Sequence, residues 1–182
     1  MPSNKDNWAD IIQKGKVLEN IIWLALQWYI LTILTDHVQH IEKLEKMTAV
    51  KDAIRYFTDD GHVIDLFWMS ANTHDPTSHT PDFIMAIDSQ VLVVIEAKNW
   101  ADPPNTTRTK LYILTRFESY STAPYKLLVI TAPLEPVAEP LVIQEKIIPI
   151  IVPPQVLSRT KESRRRIAEA LWIKLPHRLE VT

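Results

Sequence analysis

The sequence contains no cysteine, which excludes disulfide staples and any zinc site built on thiolates. A reducing interior fits that absence. Glycine is almost missing too: only Gly15 and Gly61 occur in 182 residues, so each asks for a local reason. No charge of one sign dominates. The formal net charge of -2 excludes the broad basic field with which non-specific DNA-coating proteins neutralise phosphates. It does not exclude an enzyme whose cations are local. Long hydrophobic runs are lacking as well. The most apolar stretch, Ile21 to Leu34, is broken by Gln27 and is shorter than the about 20 apolar residues of a membrane-spanning helix. A helix buried on most of its surface is expected there, in a soluble, cytoplasmic protein without a membrane partner. The polar start, MPSNKDNWAD, lacks the charged-then-apolar layout of a secretory signal.

What is present suffices for a real core: 46% of residues are hydrophobic and 23% charged, as in an ordinary globular chain. No repeat, low-complexity tract or linker divides it, so residues 1–182 are expected to form one domain. Capping residues between Asn4 and Asn7 precede a long helical segment reaching about Leu34. The following stretch, HVQHIEKLEKMTAVKDAIRYF, is polar with apolar residues at helical spacing, which predicts a second helix or an extension of the first. From His62 the period changes. HVIDLFWM reads as a strand, SANTHDPTSHT as a polar loop, and PDFIMAID with VLVVIEAKNW as a hairpin turning at Ser89-Gln90. Asn105 to Tyr120 has helical spacing, YKLLVITA is a further strand, and PLEPVAEP is a proline-rich connection. KIIPIIVP reads as a last strand whose Pro149 favours a sheet edge or a strand end, and a final helix starts near Ser158. The expected architecture is a mixed β-sheet flanked by helices, an α/β fold.

The hairpin carries the chemistry. Side chains alternate along a strand, so Leu92, Val94, Glu96 and Lys98 are expected on one face, with Val91, Val93, Ile95 and Ala97 on the other. An acid and an amine closing an apolar strand are costly unless paired. Folding the hairpin places Asp82 beside Ala97, within one residue of both Glu96 and Lys98; a small shift or bulge brings all three together. Two nearby carboxylates repel each other but suit a hard divalent cation, and magnesium takes one or two of them among its oxygen ligands. Such an ion acidifies a bound water and offsets charge on a phosphoryl oxygen. Lys98 would orient that water or neutralise the charge developing on phosphorus. Acid, acid and lysine make a coherent set for phosphodiester hydrolysis.

Pro81-Asp82, followed after an apolar strand by Glu96-Ala97-Lys98, resembles the signature of the PD-(D/E)xK nuclease superfamily. The string VVIEAKNW is similar to the corresponding strand of nuclease-related (NERD-type) domains, and the likeness covers roughly residues 8 to 131. It implies a restriction-endonuclease-like core of αβββαβ order with a C-terminal helix, and a Mg2+-dependent deoxyribonuclease, Mn2+ substituting. Carried over by residue, it makes Asp82 and Glu96 metal ligands, the Ala97 carbonyl a backbone ligand and Lys98 the water-positioning residue. Glu19, four residues after Gly15, falls where families of this kind place a further glutamate; there it would bind the ion through water or support a second one. DNA is the implied partner, and a homodimer would serve paired cuts. The alternative is a catalytically silent nucleic-acid-binding or assembly module on the same fold.

Arg108, Lys110 and Arg116, on the helix after the catalytic strand, are the nearest candidates for phosphate contact. His62, His74, Asp75 and His79 crowd the loop before Pro81 without the spacing of a strong zinc motif. Substrate contact by His79 or Ser78 is the better expectation. Trp23, Trp28, Trp68 and Trp172 are expected in the core, whereas Trp100 just beyond Lys98 is placed to meet a base. The basic C-terminal run, Arg159 to Arg178, reads as a solvated helix face. Gly15 marks either a helix start or a close approach by backbone or phosphate, since glycine inside a helix costs about 1 kcal/mol.

Overall fold

A computed structural model describes residues 4–45, 47–70, 79–153 and 160–175. Helix α1 (Asn4–Tyr29) runs on through one π-helical turn, Ile30–Leu34. Seven strands follow: β1 (Val38–Lys43), β2 (Val50–Thr58), β3 (Val63–Met69), β4 (Phe83–Ile87), β5 (Gln90–Lys98), β6 (Tyr125–Ile130) and β7 (Ile147–Ile151). They lie in the sheet in chain order, antiparallel from β1 to β5 and parallel from β5 to β7. Between β5 and β6 stand α2 (Thr106–Thr109), a π-helical turn (Lys110–Leu114) and α3 (Thr115–Glu118); between β6 and β7 stands α4 (Glu139–Gln144). Helix α5 (Thr160–Lys174) follows β7. The fold is mixed α/β around a seven-stranded mixed sheet.

Two apolar layers hold it. On one face Leu18, Ile22, Leu26 and Ile30 of the long helix, with Ile167 and Leu171 of α5, pack on Phe83, Val93, Ile95 and Leu127. On the other, Ile113, Phe117 and Val142 pack on Val94, Leu128 and Ile130. Residues Gly15–Leu34 are long and apolar enough to cross a membrane, but half of that stretch is buried within the fold, as a core helix would be. Leu24, Trp28 and Leu31 are its exposed apolar members, so Trp28 is not the core residue its type suggested. Trp23 is buried in the core. Nothing is described of the Trp172 side chain, and Ser78, His74, Asp75 and Arg159 lie outside the described residues.

Strands β1 and β2 stand where a helix was expected over 37–57. Val38, Ile41, Val50, Ile54, Tyr56 and Phe57 are β-branched or aromatic, and pairing with the apolar β3 supplies hydrogen bonds that local helical spacing cannot match. Arg55 seals that pairing with a bidentate bridge to Asp65, at 2.7 and 2.9 Å. The connection PLEPVAEP is shorter than expected, because α4 begins within it; Pro140 falls in the helix's first turn, where its missing N–H is not needed. Pro149 does lie on the outermost strand, β7.

The β4–β5 hairpin turns at Asp88-Ser89 rather than Ser89-Gln90. Both residues have positive φ, 49° and 68°, as a two-residue type I′ turn requires. Asp88 tolerates this because its carboxylate accepts the Val63 N–H at 2.9 Å and meets His62 Nδ1 at 2.6 Å. A bulge beside Ala86 then pairs it with Val91 while Met85 pairs with Val93. Leu92 consequently joins the α1 side and Val91 the α3 side, the reverse of simple alternation. Beyond the bulge the alternation returns as expected.

Candidate active site

Asp82 sits immediately before β4, and Glu96 and Lys98 end β5. The backbone closes this corner first: Asp82 N–H donates to the Ile95 carbonyl at 3.1 Å, and the Asp82 carbonyl accepts the Met69 N–H at 2.8 Å. The side chain then accepts the Ala97 N–H at Oδ2, 2.7 Å away. Asp82, Glu96 and Lys98 are 1%, 1% and 5% exposed. Lys98 Nζ donates to Glu96 Oε1, and Arg116 Nε, on α3, lies 3.8 Å from the same oxygen. The other oxygen, Glu96 Oε2, is buried without a hydrogen-bond partner among the described residues. A buried, unmatched carboxylate oxygen is expensive, and it marks where a ligand would be welcome.

Burial raises the Glu96 carboxyl to about 8, with the Asp82 charge adding to the rise and Lys98 and Arg116 opposing it. Burial also raises Asp82; Lys98 pulls it back down, Glu19 pushes it up, and the Ala97 N–H and Lys51 lower it. Trp23, Trp68 and Phe83 pack with ring centroids 5.7 to 6.4 Å apart on the α1 side of the sheet, where Phe83 directly follows Asp82, so the medium on that side is apolar.

Glu19 reaches the same neighbourhood from α1. Its Oε2 accepts the Lys51 ammonium at 2.5 Å and the Trp68 Nε1–H at 3.1 Å, and Lys51 lies 5.1 Å from the Trp68 ring centroid. Sequence reasoning missed Lys51 and Trp68. With residues 37–57 taken as helix, nothing brought the second residue of β2 to this corner. Trp68 was assigned only to packing, although indole N–H groups seek acceptors when buried.

The candidate substrate contacts are spread more widely. Arg108 and Lys110 are exposed, and Asn105 caps their helix by accepting the Arg108 N–H at 3.0 Å. Arg116 is fully buried and directed at Glu96, so it neutralises the site from beneath. His79 is exposed, with Nδ1 3.1 Å from both Glu118 Oε2 and the Thr115 carbonyl, which ties the end of its loop to α3. Trp100 is half-buried and meets Tyr112 edge-on, 6.5 Å between centroids. Thr131 fixes the turn before it, donating to the Trp100 carbonyl at 2.8 Å.

Compared with models of known families, with curated proteins and with solved structures, the chain matches none of them. Among the described residues no group of three or more His, Asp or Glu side chains is placed to hold a metal ion. A magnesium ion asks for fewer protein carboxylates than that. Asp82 and Glu96 offer hard oxygen donors, mutual repulsion and one unmatched oxygen, which together fit a divalent cation.

Proposed function

We propose that the protein is a divalent-metal-dependent endonuclease that hydrolyses DNA phosphodiester bonds, on the PD-(D/E)xK plan. The observation that carries this reading is the meeting of Asp82, Glu96 and Lys98 at one buried strand end, with Glu96 Oε2 unmatched. The succession α1, β3, β4, β5, a helical segment and β6 supports the αβββαβ core order, with β1, β2 and β7 as additions. A cytoplasmic location and action as a homodimer belong to the same proposal.

Asp82 and Glu96, with the Ala97 carbonyl, would hold Mg2+, or Mn2+ in its place. The ion supplies an acidified water and a counter-charge for a phosphoryl oxygen. The chain does the rest. The Ala97 N–H fixes one Asp82 oxygen and leaves Oδ1 to the site. Lys98 Nζ holds a proton beside Glu96 Oε1 and orients the attacking water. Arg116 keeps Glu96 ionisable from below, and burial to 1% exposure keeps bulk water from Asp82 and Glu96. Arg108, Lys110, His79 and Trp100 are the proposed contacts to DNA.

One observation favours a second reading. Lys98 already pairs with Glu96, and all three residues are almost wholly enclosed, as they would be in a silent nucleic-acid-binding or assembly module. Incubating the protein with linear, supercoiled, single-stranded and branched DNA, under magnesium, manganese or chelator, separates the two. Cutting that needs metal and disappears in Asp82→Ala and Lys98→Ala supports the nuclease. DNA binding with no cutting under any metal supports the silent module.

A further inference from the structure

Around the site three carboxylates, Glu19, Asp82 and Glu96, face three cations, Lys51, Lys98 and Arg116. With all three acids ionised, the corner is electrically balanced before any divalent ion arrives. Adding two positive charges to an apolar enclosure is unfavourable unless a resident cation withdraws. Lys98 and Arg116 have nowhere to go, at 5% and 0% exposure. Lys51 differs. Its side chain is 39% exposed, it stands at the second residue of β2, and its ammonium holds Glu19 by the same oxygen that Trp68 holds. Its charge is also felt at Asp82, so its departure would change the field where the ion would sit.

An ammonium that is half in solvent exchanges one anionic oxygen for another with little cost, and phosphate is a strong competitor for it. We infer that Lys51 is a positioning residue that couples the two ligands of the site: it occupies Glu19 in the free protein and moves to a substrate phosphate when nucleic acid binds, freeing Glu19 toward the divalent cation. This rests on the nuclease reading and adds to it a reason for the ion to bind tightly only with substrate. By linkage, nucleic acid then tightens cation binding by the same factor as the cation tightens nucleic-acid binding.

Calorimetric titration of Ca2+ into the full chain, with and without a short DNA duplex, tests this in wild type, Lys51→Gln and Lys51→Arg. In wild type the duplex should tighten Ca2+ binding about fivefold or more. Lys51→Gln should bind Ca2+ that tightly without DNA and gain nothing from the duplex, while Lys51→Arg keeps the wild-type dependence. Circular dichroism checks that the variants fold. If wild type binds Ca2+ and cuts DNA, yet Lys51→Gln binds Ca2+ no more tightly without DNA, the coupling role is wrong and the nuclease reading survives. If wild type takes up no divalent ion with or without DNA, both fall.

Discussion

Asp82 Oδ2 accepts the Ala97 amide proton at 2.7 Å, which fixes the acid before β4 to the peptide between Glu96 and Lys98. This one bond ties the Asp82 side chain to the backbone between Glu96 and Lys98. An asparagine keeps the acceptor for Ala97 but loses the negative charge. Asp82→Asn should therefore fold normally and melt no lower than wild type, because burial already penalises the charged carboxyl. Metal-dependent DNA cleavage should fall by more than about 100-fold. An asparagine variant that still cuts at the wild-type rate removes Asp82 from the chemistry.

The raised Glu96 carboxyl makes a claim about pH. Its ordinary value is 4.5 and its folded value about 8, so between these the folded protein holds a proton that the unfolded chain has released. The stability this contributes is complete below the ordinary value and is lost as pH rises through about 8. In chelator the unfolding free energy should decline across that window with a slope approaching about 1.4 kcal/mol per pH unit. Asp82 is shifted the same way, and His62, raised chiefly by its bond to Asp88, adds a slope of the same sign. Glu96→Gln isolates the Glu96 part: denaturant melts across the window should lose most of the decline. An identical slope in the variant would falsify the assignment.

Lys98 and Glu96 should also be coupled in stability. Replacing Lys98 with methionine leaves a buried carboxylate served by Arg116 alone. Above a Glu96 value of about 8 the loss should be on the order of 3 kcal/mol, and well below it the loss should shrink because the carboxyl is already neutral. The double variant Glu96→Gln/Lys98→Met should recover most of that stability while remaining without activity. Additive losses in the double-mutant cycle would show that the two side chains do not share one energetic unit.

Legibility in the sequence followed the range of the interactions. The β4–β5 hairpin was readable because alternation and its polar turn are local, and with it came the nearness of Asp82 to Glu96 and Lys98. The bulge that exchanges Leu92 and Val91 was not, since it depends on Asp88 adopting positive φ under the hold of His62 and Val63. Strands β1 and β2 were misread because their apolar residues also fit helical spacing, and only pairing with β3 decides between the two. The Glu19–Lys51 and Glu19–Trp68 contacts span 32 and 49 residues, and no local pattern announces them. Arg116 looked like a surface cation because its helix was legible but the side of it facing Glu96 was not.

Gly15 lies inside α1, not at its start, and a Cβ built there meets nothing within 4 Å. Neither a helix boundary nor a neighbouring backbone explains it, which leaves the approach of a phosphate or no role at all. In either case Gly15→Ala should stabilise the fold by about 1 kcal/mol, since alanine loses less entropy in a helix and here meets no clash. DNA binding separates the two outcomes. If the glycine admits a phosphate to the start of the Glu19 helix face, the variant should melt higher yet bind a DNA duplex less tightly, with the deficit present in chelator as well as in magnesium. Unchanged binding alongside higher stability assigns Gly15 no part in substrate contact.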